Sequence, residues 1–190
     1  MAARFTYGSG GPEMRVIAGH LGGRVFDSPR THRTHPMSEK ARGAIFNALG
    51  DVTGLTLLDA YAGSGAVAIE AVSRGARQAL AIDVDVEAVK TMSTSVKALK
   101  VQDEVVVLRK NISGWSRNNQ ARQFDVVVAD PPYTDIRPDV IERLGVHVKP
   151  GGVFVLSWPS AETVRKLAGL DLVAVKPLGD ITLVFYKKIG

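Results

Sequence analysis

The chain has 190 residues, 45% of them hydrophobic and 23% charged, which is enough to bury one sizeable core with short appendages. No apolar run reaches bilayer length and no basic-then-apolar leader ends in a small-residue cleavage site, so a soluble, cytoplasmic protein is expected. The absence of cysteine excludes disulfides, thiolate metal sites and the cysteine nucleophile of covalent pyrimidine C5 chemistry. With 24 Lys and Arg against 19 Asp and Glu, the net charge of +5 suits a polyanionic partner, and its distribution says more than its sum.

The first thirteen residues, rich in Gly, Ser and Ala and without periodicity, read as a disordered tail or cloning remnant ahead of Met14. Val16-Ile17-Ala18 and Arg24-Val25-Phe26 read as short strands joined by a glycine turn over 19–23. Ser38 is placed to cap a helix through Ile45, Phe46 and Leu49, which Gly50 and Gly54 close off. Residues 14–50 thus form a small extension in front of a main unit over 51–190. In that unit strands alternate with helices: strand 56–59 and helix 66–73, strand 79–83 and helix 86–100, strand 105–108, strand 124–129 and helix 139–148, strand 153–158 and helix 161–168. The strands are continuous apolar runs, as expected when helices cover both faces of a parallel sheet. Segments 172–175 and 182–186 flank Pro177-Leu178-Gly179-Asp180 and read as a closing hairpin. The expected fold is α/β and Rossmann-like, a mostly parallel seven-stranded sheet with an antiparallel C-terminal hairpin.

Three strand ends carry acids. Leu57-Leu58-Asp59 runs into Ala60-Tyr61-Ala62-Gly63-Ser64-Gly65 and then a helix. Gly63 and Gly65 let the backbone approach a ligand, and the helix N-terminus offers unpaired N–H groups. The alternative is a plain strand–helix turn, but Asp59 stands at the edge where open α/β sheets bind ligands, and an acid there suits an ammonium group better than a pyrophosphate. The next strand ends in Asp83, placed to accept from both hydroxyls of a ribose; Asp85 can instead simply start the following helix, and a capping role is expected for one of these two acids and not for both. Asn111 and Ile112, past the third strand, are candidates to bond an adenine amino group and pack on its ring; an ordinary loop role for Asn111 is equally compatible.

The sharpest signal is Asp130-Pro131-Pro132-Tyr133 at the end of strand 124–129. An aryl amine is a weak nucleophile because its lone pair is delocalised into the ring, so a site must hold the nitrogen in line with a methyl sulfonium. The Asp130 carboxylate and the Pro131 carbonyl can each accept one N–H, orienting the pair and stabilising the positive charge that grows on nitrogen. Tyr133 offers a face for an extruded base, and Pro131 and Pro132 stiffen the loop. Between 15 and 42 the bases Arg15, Arg24, Arg30, Arg33, Lys40 and Arg42 outnumber the acids Asp27 and Glu39, as a segment tracking a phosphate backbone would. His32 and His35 lack a supporting carboxylate or thiol cluster, so no metal site is expected. Trp115 and Trp158 read as core or cleft-wall residues.

The order D-A-Y-A-G-S-G, A-I-D-V-D, D-P-P-Y is similar to class I methyltransferases that modify nucleobase amino groups. Met14-Arg15-Val16-Ile17-Ala18-Gly19, Gly23-Arg24 and the run from Thr34 to Asn47 resemble the RsmD family of 16S rRNA guanine-N2 methyltransferases. The likeness extends from Met14 to near the C-terminus. His35, Met37 and Gly43 stand where Arg, Thr and Glu are more typical of that family. The resemblance implies S-adenosylmethionine as cofactor, with Ser38 and Phe46 near it and Asp59, Gly63, Gly65, Asp83 and Asn111 around it. It implies that Asp130 to Tyr133 hold a guanine of 16S rRNA, within a small-subunit particle or assembly intermediate, in a monomeric enzyme. The D-P-P-Y chemistry serves any aryl amine, so a DNA adenine-N6 methyltransferase is the alternative and DNA stays open as a partner. A non-catalytic nucleic-acid-binding protein is the other alternative, and the intact Asp130 and Tyr133 oppose it.

Overall fold

The computed structural model describes residues 12–29 and 37–190. In chain order the elements are β1 (Glu13–Arg15), β2 (Val25–Asp27), α1 (Glu39–Leu49), β3 (Thr56–Asp59), α2 (Ala66–Ser73), β4 (Gln78–Asp83), α3 (Val86–Ala98), β5 (Val105–Arg109), α4 (Ile112–Asn118), β6 (Phe124–Ala129), α5 (Pro138–Leu144), β7 (Val148–Pro159), β8 (Leu170–Leu178) and β9 (Ile181–Lys188). The last seven strands form one sheet in the order β5-β4-β3-β6-β7-β9-β8. Strands β5 to β7 are parallel, and β9 runs antiparallel to both of its neighbours. The expected mostly parallel sheet with a closing hairpin is therefore the fold. Two apolar clusters pack on it, one holding Leu57, Ile69 and Val126, the other Leu58, Leu80 and Phe154. Successive residues of β3 enter opposite clusters, which is why its sequence is apolar without alternation.

Helix α2 is buried along its whole length, with the sheet on one side and the N-terminal elements on the other. A helix enclosed in this way must pair its polar side chains internally. Glu70 accepts from the backbone N–H groups of Ile17 (2.8 Å) and Ala18 (3.1 Å) and from Arg42 Nε (3.4 Å) and Arg74 Nε (2.7 Å). Ser73 accepts from Leu21 N–H and donates to the Ala18 carbonyl. Val16, Leu21, Phe26, Ile45 and Phe46 join the same apolar cluster as Val67 and Ala71. The N-terminal segment is thus one side of the core rather than an appendage.

Several boundaries differ from expectation. The first hairpin pairs Glu13, Met14 and Arg15 with Asp27, Phe26 and Val25, while Ile17 and Ala18 leave the ladder to bind Glu70. Glu13 is accordingly part of a strand and not of a tail. The helix expected over 161–168 is absent; the backbone there leaves β7 at Pro159, and the Arg165 carbonyl accepts from the Tyr186 hydroxyl at 2.7 Å. Helix α4 was not expected, and the segment 139–148 divides into α5 and a short 3₁₀ turn over Gly145–His147. Residues 1–11 of the tail expected over 1–13, and the segment 30–36 with Arg30, His32, Arg33 and His35, lie outside the described residues. No helix among the described residues is long and apolar enough to cross a membrane.

Candidate active site

Because β4, β3 and β6 are neighbours, their carboxyl ends bring Asp83, Asp59 and Asp130 to one edge of the sheet. The loop leaving β3 is stitched to both flanking strands: Ala60 N–H donates to the Val128 carbonyl and Ala62 N–H to the Ile82 carbonyl, each at 2.9 Å. Asp83 then fixes the glycine turn, one oxygen accepting from Gly63 N–H at 2.8 Å and the other from Asp85 N–H at 2.9 Å. Gly65 caps α2 at φ 76°, and a Cβ there would stand 2.7 Å from Met92 side-chain atoms. Both the backbone conformation and the packing demand glycine at that position.

Asp59 is 3% exposed, and its Oδ2 has no hydrogen-bond partner. Burial, reinforced by the charges of Asp130 and Asp83 and opposed by the Ala68 N–H at the start of α2, pushes its carboxyl up to about 8. An unpartnered buried carboxylate oxygen is costly, and a cationic group is the natural complement to it. At the next strand end, burial also raises the Asp130 carboxyl, while the Ser157 hydroxyl favours ionisation.

The Tyr133 hydroxyl lies 2.7 Å from the Ser157 hydroxyl on β7, and the residue as a whole is 39% exposed. The ring is therefore anchored at its tip and open to ligand. Beyond Tyr133 lies a cleft of about 670 Å³ whose lining includes Pro138, Trp158, Glu162 and Arg165. An aromatic wall with one acid and one guanidinium can hold a flat polar ring.

The family model described as Conserved hypothetical protein 95 matches residues 14–187. The YlbH protein of Bacillus subtilis (strain 168), designated an rRNA methyltransferase, is 33% identical over 184 residues, 93% of this chain and 100% of its own. The chain belongs to this family, the RsmD family. Ribosomal RNA small subunit methyltransferase D of Escherichia coli (strain K12) is 30% identical over 126 residues, 66% of this chain and 63% of its own. The structure of Escherichia coli yhhF, designated a methyltransferase, superposes with a TM-score of 0.83 at 22% identity, covering 94% of this chain and 99% of that one. The likeness in structure shows the shared class I fold.

Against the RsmD pattern, the expected site residues divide. Asp59, Gly63, Gly65, Asp83 and Asp130 gather at the sheet edge, with Pro131, Pro132 and Tyr133 following. Ser38 sits at the N-cap of α1, its hydroxyl accepting from Ala41 N–H at 3.1 Å. Phe46, expected near the cofactor, is 1% exposed with the Arg74 guanidinium 5.0 Å from its ring centroid. Arg74 follows the last turn of α2, and Phe46 packs in the same apolar cluster as that helix. Asn111 caps α4 through Gly114 N–H at 3.2 Å, and Ile112 packs in the core beside Leu80 and Ile82 with 7% of its surface exposed.

Of the basic residues expected to face RNA, Arg15, Arg24 and Lys40 are exposed, Arg15 pairing with Glu39 at 3.2 Å. Arg42 corrects the expectation. It is fully buried, held by Glu70 and by the Arg15 carbonyl, and burial lowers its guanidinium despite Glu70. Its charge is spent on docking the N-terminal segment, leaving none for a phosphate. Sequence reasoning passed over Ser157, Glu70, Glu162 and Arg165. A hydroxyl inside the apolar run of β7 and an acid inside an apolar helix were the only local signs of the first two. Among the described residues no cluster of His, Cys, Asp and Glu could hold a metal ion.

Proposed function

We propose that the chain is an S-adenosylmethionine-dependent methyltransferase that methylates the exocyclic N2 of a guanine in 16S rRNA. The observation that carries this reading is the unpartnered Asp59 oxygen, set between Asp83 and Asp130 on adjacent strand ends. These residues fit the cofactor: a buried carboxylate for its ammonium group, two glycines for close backbone approach, and Asp83 for its ribose. When bound, S-adenosylmethionine supplies a methyl group on a sulfonium. Asp130 and the Pro131 carbonyl accept the two N–H bonds of the target amine and so direct its lone pair. Ser157 steadies Tyr133, whose exposed face supports the base.

The choice of nucleic acid rests on the relatives named as small-subunit rRNA methyltransferases, and the choice of guanine N2 on the resemblance of the N-terminal segment and the D-P-P-Y tetrad to the RsmD family. In this reading the enzyme works as a monomer in the cytoplasm on a small-subunit particle or assembly intermediate. Arg15, Arg24 and Lys40 track its phosphates, together with Arg30 and Arg33 of the segment outside the described residues. Methyl transfer from labelled cofactor into small-subunit rRNA from cells lacking the enzyme tests the proposal. The label is expected as N2-methylguanosine; its recovery as N6-methyladenine, or faster transfer to duplex DNA, overturns the assignment.

A further inference from the structure

The cleft beyond Tyr133 carries groups that the methyl-transfer chemistry does not use. Tyr133, Ile136, Pro138, Trp158 and Val164 supply apolar lining, while Glu162 and Arg165 supply one acceptor and one donor of opposite charge. Glu162 and Arg165 lie in the segment that leaves β7 at Pro159 without forming a helix, and their side chains remain exposed. Neither side chain takes part in an ion pair or a side-chain hydrogen bond among the described residues. What is fixed is the backbone beneath them: Glu162 N–H donates to the Pro159 carbonyl at 3.0 Å, and the Arg165 carbonyl is held by Tyr186. Two charged side chains on an anchored backbone at the mouth of an aromatic-lined cleft have the makings of a reading device.

The chemistry of the bases selects among occupants. Along its Watson–Crick edge guanine presents the N2 amino group, then the N1–H donor, then the O6 acceptor. Adenine and cytosine present a bare ring nitrogen at the central position, which a carboxylate repels. If the amino group is held at Asp130, the two groups still to be read are a donor and an acceptor. Glu162 and Arg165 complement them in kind.

Resting on the methyltransferase reading above, we propose that this cleft is the guanine-reading pocket. Glu162 accepts the N1–H and so determines specificity, and Arg165 donates to O6.

The test uses 2-aminopurine, which keeps the 2-amino group but has a bare N1 and no O6. Small-subunit rRNA is assembled with guanine or 2-aminopurine at the position to which the wild-type label maps, and kcat/KM is measured for the full chain and for Glu162→Gln. The wild-type enzyme should favour guanine by about ten- to a hundredfold or more, the range of a charge-assisted hydrogen bond set against a lone-pair repulsion. Glu162→Gln should lower kcat/KM on guanine by about tenfold or more and raise it on 2-aminopurine, because the glutamine amide can donate to N1. Calorimetric cofactor affinity should be the same in both proteins. An unchanged guanine to 2-aminopurine ratio in Glu162→Gln overturns the assignment of Glu162 while leaving the methyltransferase reading intact. If the wild-type enzyme labels no RNA, or labels adenine, the guanine-N2 reading and the pocket assignment fall together.

Discussion

Replacing Asp59 with Asn separates the cost of the buried carboxyl from its use. In the folded protein burial holds this group protonated up to about 8, whereas in the unfolded chain it ionises near 3.8. Between those values the folded state carries a proton that the unfolded state has released, so stability falls as pH rises, by about 1.4 kcal/mol per pH unit for a fully coupled group. The contribution is complete below pH 3.8 and is lost as pH passes through about 8, with an upper limit of roughly 6 kcal/mol. Asp59→Asn removes that dependence. Denaturant unfolding of both proteins from pH 5 to pH 9 should show their stability difference moving steadily in favour of Asn and levelling off above pH 8, since the other titrating groups cancel in the comparison. Cofactor binding should run the other way. An ammonium group placed against Asp59 stabilises the ionised carboxylate, so binding at pH 7 should release close to one proton, read by calorimetry in buffers of different ionisation enthalpy. The Asn variant should release none and bind about ten- to a hundredfold more weakly. A stability difference that stays flat with pH, or binding without proton release in the wild-type protein, would refute the reasoning.

Asp130→Ala should retain cofactor affinity by calorimetry and lose most single-turnover transfer, because its interaction strengthens as charge develops on the amine. Asp83→Ala should weaken cofactor binding by about 1–3 kcal/mol, since it removes both the ribose acceptor and the anchor of Gly63. Neutral replacement of Arg24 and Lys40 should reduce the slope of log RNA affinity against log salt by about 0.7–0.9 for each phosphate left without its cation. Arg42→Met should leave that slope unchanged but cost about 3–5 kcal/mol of stability in denaturant unfolding, because Glu70 is left buried with one cation fewer.

Much of the sheet was legible because its signals are local. The segments 56–59 and 124–129 are apolar runs ending at a glycine turn and a proline pair, and both became strands with those bounds. The helix over 66–73 was legible for the same reason, with glycine before it and Arg74-Gly75 after. That the acid-tipped strand ends share one edge of the sheet followed from the α/β pattern as well, whereas the placing of β3 between β4 and β6 did not.

Where propensity and environment disagreed, the environment decided. Residues 161–168 have helical composition, yet the backbone there is held by Tyr186 from β9 and borders the cleft. In α4 only Ile112 and Trp115 are apolar among seven residues, too few to show a period, and the helix exists because both enter the core beside Phe124. Arg42 and Arg24 are indistinguishable as charges along the chain. One is enclosed and the other exposed because Glu70, twenty-eight residues after Arg42, needs partners inside a helix without a solvent face. The sequence by itself determined which residue types stand at the strand ends, since strand, turn and helix arise from neighbours a few positions apart. Burial, and with it the unpartnered oxygen of Asp59, the role of Arg42 and the pairing of Tyr133 with Ser157, was decided only by tertiary packing, because it depends on segments distant in sequence closing over one another.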